Sequence, residues 1–342
     1  MSRLKNFFRP FYSKTAPILN EVGTEKPNSI ASMEFVKLGE IDQWILIRSH
    51  NLDNPLLLLL HGGPGSADSP LAYKFQSELE EHFIVVNYDQ RGAGKSYSKK
   101  IPKESMKIEQ FVSDTYNLII LLKKRFNKEK IYLVGHSWGS MLGTLLVLRY
   151  PELFYAYIGV GQVVNLIDNE IFSFQFTLKE AKKRDNKKAI KQLEKIRPYS
   201  GEKLAHLRIQ RKWLKKFGGV LHNETSMWPL LKIGMCSPEY NFADFIRYIR
   251  GTRFSIKNLW NDLFELDFFK EIKECKVPIY FCIGRYDYNA PFELSERFFK
   301  QLKAPIKKFI WFENSAHCPN FEEPKKFKNF LINEMLPETY NE

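Results

Sequence analysis

The chain has 342 residues, 44% of them hydrophobic and 27% charged, a balance that excludes wholesale disorder and leaves room for one large domain or two. Its formal net charge is +13, but the excess is uneven, because residues 179–216 hold 15 Lys or Arg against 4 acids. A basic excess confined to one segment reads as solvated helix faces or, more sharply, as an electropositive surface for an anionic substrate or a membrane, rather than as a nucleic-acid binder.

In chain order, residues 1 to about 30 read as a basic, aromatic arm, either mobile or packed on the body, without the apolar stretch and cleavage site of a signal peptide. Residues 33–38 and 43–48 read as two short strands joined at Gly39-Glu40. The continuous apolar run 56–60 is expected of a strand covered on both faces, and it ends in the sequence HGGPG at 61–65. Residues 83–87 predict another buried strand, followed by YDQRGAGKS at 88–96, whose glycine and lysine spacing does not match a phosphate-binding loop. A helix over 108–126, a strand over 131–134, a helix over 138–149 and a strand over 155–160 continue the alternation of a parallel sheet. The alternation stops from about 165 to 264, where the sequence is helical and basic, and Trp213, Trp228 and Trp260 read as packing residues or, for one or two of them, as pocket lining. It resumes with a strand (277–284), a helix (291–302), a strand (307–312) and a helix (324–335).

The expected organisation is therefore an arm (1–30), a core (31–164 and 265–342) and a helical cap (165–264) over the carboxyl edge of the sheet, where such folds bind ligands. The four cysteines, Cys236, Cys275, Cys282 and Cys318, show neither a C-x-x-C pair nor metal-type spacing. They suit free thiols in a reducing compartment, so a cytoplasmic enzyme without metal or cofactor is expected.

Gly135-His136-Ser137-Trp138-Gly139 matches G-x-S-x-G between a strand and a helix, the context in which a serine hydroxyl stands clear of the sheet on a sharp turn. A serine attacks only when a base takes its proton and a third group orients that base. His317 is the histidine that lies downstream in a loop directly after a strand, and it is the candidate base. Asp287, just beyond the strand at 277–284, is the candidate acid, with a helix-capping role as its structural alternative and Asp168 as the reserve. The backbone N–H groups of Trp138 and Gly63 are the candidate oxyanion donors.

HGGPG at 61–65, YDQRGAGKS at 88–96, the serine turn at 135–139, GRYDYNAP at 284–291 and SAHCPNFEEP at 315–324 together resemble the α/β-hydrolase family. Within it the chain is most similar to the proline iminopeptidases and their relatives, over about residues 33–335. The resemblance implies an α/β fold with a mostly parallel central sheet, helices on both faces and a cap inserted late in the sheet. It also implies Ser137 as nucleophile, Asp287 as acid, His317 as base, and release of an N-terminal residue, typically proline, from a short peptide. A carboxylesterase acting on small or medium acyl esters is the alternative. Two features depart from the branch: His136 stands where those peptidases usually carry glycine, and the cap is basic where theirs bring carboxylates to hold the substrate's amino group. Glu170, Glu224, Glu239 and Asp244 are the candidate amine anchors.

Overall fold

In the computed structural model, which describes residues 12–340, eight strands join in one sheet. They are β1 (Ile30–Leu38), β2 (Ile41–Ser49), β3 (Leu56–Leu60), β4 (Ile84–Asp89), β5 (Ile131–His136), β6 (Phe154–Val160), β7 (Ile279–Gly284) and β8 (Lys307–Phe312). Their spatial order is β1-β2-β4-β3-β5-β6-β7-β8, with β1, β2 and β4 paired antiparallel and every other pair parallel. Side-chain alternation splits the central strands between two cores. Leu56, Leu58 and Leu60 of β3 and Ile131 and Leu133 of β5 enter one core, whereas Leu57, Tyr132 and Val134 enter the other. Both faces are covered, so these strands carry no polar alternation, which is why they read as unbroken apolar runs. The run expected from 277 enters the ladder at Ile279, because Pro278 has no N–H to give.

Two helices frame the centre of the sheet. In α1 (Ile108–Phe126), Phe111, Thr115, Leu118, Ile119 and Leu122 are buried on one face, as their spacing predicts. In α2 (Trp138–Arg149), every residue from Trp138 to Val147 is buried, so this helix is enclosed on all sides. Between β6 and β7 run α3 (Leu166–Lys183), α4 (Lys187–Glu194), α5 (Leu204–Lys216), α6 (Trp228–Met235) and α7 (Phe242–Leu259). Asparagine caps start three of them: Asn165, Asn186 and Asn241 each accept a backbone N–H of the first turn. Phe174, Ala181, Leu193, Trp213 and Phe217 give the first part of this segment a small core of its own.

Helix α7 docks on the loops that follow β3 and β4. Thr252 Oγ1 donates to Gly65 O (2.8 Å) and Ser255 Oγ to Gly92 O (3.1 Å). Gly251 packs so tightly there that a Cβ would stand 2.6 Å from Gly92 O. After β7 comes α8 (Phe292–Gln301), and after β8 comes α9 (Pro324–Phe330), extended by one π turn over Leu331–Met335. Residues 1–11 of the expected arm lie outside the described residues. Its remainder packs on the body: Arg48 Nη1 donates to Thr15 Oγ1 (2.5 Å) and Ala16 O (2.6 Å), and Ile18 is buried.

A fully buried ion pair pins the loop after β4. Arg91 Nε and Nη2 donate to the two carboxylate oxygens of Asp114 at 2.7 and 3.1 Å, and Gln43 and Gln110 each add a 2.7 Å bond. Replacing Asp114 by Ala would strand the guanidinium without a counter-charge, so Asp114→Ala should lower the unfolding free energy by about 3–5 kcal/mol in urea denaturation. A loss below about 1 kcal/mol would mean that water reaches Arg91 and that the pair does not anchor this loop.

Candidate active site

Ser137 sits between β5 and α2 with φ 54° and ψ −119°, a conformation that costs a non-glycine residue about 1–3 kcal/mol. Its surroundings hold it there. Ser137 N–H donates to Val160 O on β6 (2.9 Å), and its carbonyl accepts both Ser140 N–H (2.8 Å) and Ser140 Oγ (2.5 Å). The flanking glycines are required by main-chain crowding: a Cβ on Gly135 would lie 2.3 Å from Gly139 O, and one on Gly139 would lie 2.1 Å from Leu60 O.

Ser137, Asp287 and His317 follow the carboxyl ends of β5, β7 and β8, and the two downstream residues meet directly. His317 Nδ1 is 2.8 Å from Asp287 Oδ2, with the carboxylate fully buried. The other oxygen, Oδ1, accepts Asn289 N–H (2.9 Å) and Ala290 N–H (2.8 Å), so Asp287 fastens its own turn while it faces the imidazole. The acceptor role of Asp287 fixes the proton of a neutral imidazole on Nδ1. His317 Nε2 is buried without a hydrogen-bond partner, in a cavity of about 310 Å³ that Ser137 also lines. Asp168, the reserve acid, pairs at the surface with Arg297 (3.4 Å) instead.

Gly63, with φ 118° and a cis bond to Pro64, lines the same cavity, and its N–H meets no acceptor among the described residues. Trp138 is the first residue of α2, where an N–H has no intrahelical acceptor. Polar ties hold these two donors in register. The Trp138 indole donates to Gln90 Oε1 (2.9 Å), Gln90 Nε2 donates to His61 O (3.0 Å), and Gln90 N–H donates to His61 Nε2 (3.1 Å). His61 therefore carries its proton on Nδ1 and gives it to Gly62 O (2.8 Å); burial lowers its pKa and keeps it neutral.

Around His317, the carboxylate of Glu322 gathers the main chain. Oε1 accepts Ala316 N–H and Cys318 N–H (both 3.0 Å), and Oε2 accepts His222 N–H (2.5 Å) from the loop between α5 and α6. That loop returns a bond of its own, since Val220 O accepts His317 N–H (3.0 Å).

The amine anchors expected from the sequence lie elsewhere, because each carboxylate is committed or points to another cavity. Glu170 is fully buried against Arg211 and the Tyr199 hydroxyl. Glu239 accepts Ser237 Oγ (2.9 Å) and Thr15 Oγ1 (3.2 Å) beside the arm. Glu224 is exposed on a second cavity with Tyr286 and Tyr288, and Asp244 caps α7 and pairs with Lys95 (3.3 Å). The carboxylate that does line the cavity at Ser137 is Asp68, three residues past HGGPG, 3.6 Å from Nδ1 of His136. Asp68, Gln90 and Glu322 were not singled out by sequence reasoning, although the last two lie within motifs it had marked. Among the described residues no group of three His, Cys, Asp or Glu side chains could hold a metal ion, and no helix is long and apolar enough to cross a membrane.

A family model described as alpha/beta hydrolase fold matches residues 55–207. A protein of Bacillus subtilis named probable aminopeptidase YbaC is 37% identical over 305 residues, which cover 89% of this chain and 96% of that protein. A proline iminopeptidase of Heyndrickxia coagulans is 27% identical, over 79% of this chain and 87% of its own. The crystal structure of a proline iminopeptidase from Mycobacterium smegmatis superposes with a TM-score of 0.65 at 17% identity, covering 90% of this chain and 99% of that one, and so shares the fold.

Burial pushes the Glu322 carboxyl up to about 7, against the three N–H donors that favour its charged form. A carboxyl that holds its proton more tightly folded than unfolded stabilises the fold fully below its ordinary pKa and loses that contribution as pH rises through the folded value. The melting temperature should therefore decline between about pH 5 and 7.5 through this group, and Glu322→Gln should flatten the decline. An identical pH slope in the variant would show that Glu322 does not titrate there.

Proposed function

The chain belongs to the α/β-hydrolase fold family, and from that premise we propose that it is a serine hydrolase of aminopeptidase type, releasing the N-terminal residue of short peptides through an acyl-enzyme on Ser137. One observation carries the reading: His317 is oriented by Asp287 at 2.8 Å and keeps a free Nε2 in the cavity lined by the strained serine. The names of the relatives, aminopeptidase and proline iminopeptidase, support the substrate class.

In this reading His317 Nε2 takes the proton of Ser137 Oγ as the oxygen attacks the scissile carbonyl. The Trp138 and Gly63 N–H groups receive the oxyanion, and the N-terminus of α2 adds a favourable dipole. His317 then hands the proton to the leaving amine, and a water, activated by the same imidazole, releases the N-terminal residue from Ser137. Asp287 stabilises the imidazolium that forms in each half-reaction without itself becoming protonated. The helices between β6 and β7 act as a cap, since α6, α7 and the 217–224 loop supply Leu230, Phe245 and Val220 to the cavity wall. That largely apolar wall is also what an esterase of small or medium acyl chains would need, and it favours the second reading.

Prolyl and alanyl arylamides should be hydrolysed, and failure on every such amide beside brisk cleavage of p-nitrophenyl esters would replace the peptidase by the esterase. Ser137→Ala should lower kcat by ~10⁴-fold or more and abolish fluorophosphonate labelling. Retention of labelling in that variant would move the nucleophile elsewhere.

A further inference from the structure

His136 occupies the position before the nucleophile, and its two ring nitrogens have different surroundings. Nε2 lies 3.0 Å from the carbonyl of His317, an acceptor, so Nε2 carries a proton. Nδ1 is buried, lacks a hydrogen-bond partner, and stands 3.6 Å from Asp68 Oδ2. That separation is too long for a hydrogen bond between the two, yet short enough for one small cation to reach both. Asp68 itself forms no other side-chain hydrogen bond or ion pair among the described residues, and it is the carboxylate that lines the cavity at Ser137.

We propose that Asp68, with His136 Nδ1 as second acceptor, is the receptor for the free amino group of the substrate, and that it replaces the cap glutamates in setting aminopeptidase specificity. This assignment rests on the aminopeptidase reading above. An ammonium placed between the two acceptors would lie in the cavity that Ser137 also lines, and a blocked N-terminus would bring no charge to pair with Asp68.

In the free enzyme a protonated His136 would stand in for that cation. Burial disfavours the imidazolium of His136, but the Asp68 carboxylate and the Cys318 thiol outweigh burial and raise its pKa well above the ordinary histidine range. The titratable groups that face the ring are Asp68 and His61 from the β3 side and His317 and Cys318 from the loop after β8, while Lys215 of α5 and Tyr248 of α7 line the same cavity. On binding, the substrate's ammonium takes over as counter-ion to Asp68, and the Nδ1 proton leaves to solvent, freeing the lone pair to accept. Charge is conserved in the pocket, one cation for another.

The test compares kcat/KM for matched pairs that differ by the amine alone, alanyl against propionyl arylamide and prolyl against cyclopentanecarbonyl arylamide. The wild-type enzyme should favour the amine-bearing member, and Asp68→Asn should reduce that preference roughly 10- to 100-fold, mainly through KM. Glu224→Gln, which removes an exposed cap carboxylate, should keep the preference. A full preference retained in Asp68→Asn would overturn the assignment and leave the aminopeptidase reading intact. A wild-type enzyme indifferent to the amine would instead overturn that reading itself. Fluorophosphonate labelling checks that each variant is folded; where Asp68→Asn fails the check, Asp68→Ser gives the same comparison.

Discussion

Main-chain contact between β3, β5 and α2 is the constraint on which the rest depends. Helix α2 lies so close to the sheet that Gly139 leaves no room for a side chain beneath Leu60 O, and Gly135 leaves none beneath Gly139 O. This proximity forces the chain to reverse within one residue, and the reversal is what lifts Ser137 above the carboxyl edge with a positive φ. The local strain is about 1–3 kcal/mol, small beside the burial of an entirely enclosed helix, and it persists because the hydrogen bonds on both sides of Ser137 leave no softer alternative.

From that fixed point, polar ties spread to loops that sequence separates widely. Gln90 joins the loop after β3 to the first residue of α2, Asp287 joins its own turn to His317, and Glu322 joins the His317 loop to the segment between α5 and α6. Each of these side chains is largely enclosed and fully engaged, the condition under which buried polar groups specify geometry rather than weaken the fold. Through His222 N–H and Val220 O the helical segment is bonded to the same loop that carries the imidazole. Movement of that segment and placement of His317 are therefore mechanically linked.

Charge in the site is mixed, although the chain as a whole is strongly basic. Asp68 brings a carboxylate to the cavity beside Ser137, and Lys215 of α5 lines the same cavity with the opposite charge. Most basic residues of 179–216 fall on or between α3, α4 and α5, several of them paired at the surface, as Arg184 is with Glu180 and Arg197 with Glu194. Net charge thus said little about the pocket, because only the few groups that converge on a cavity set its local field.

The order of strands and helices, the covered strand at 56–60, the serine turn and the downstream positions of Asp287 and His317 were all legible in the sequence. They depend on local periodicity, glycine spacing and chain order, which a linear text preserves. Which carboxylates face the cavity was decided only by tertiary structure. Glu170 and Glu239 are drawn into buried partnerships with Arg211, Tyr199, Thr15 and Ser237, while Asp68, an unremarkable loop residue in the sequence, arrives beside His136. Partners such as Tyr199, 29 residues from Glu170, and Thr15, 224 residues from Glu239, are set by how helices and loops pack over the sheet edge, and no spacing rule within a single segment records that.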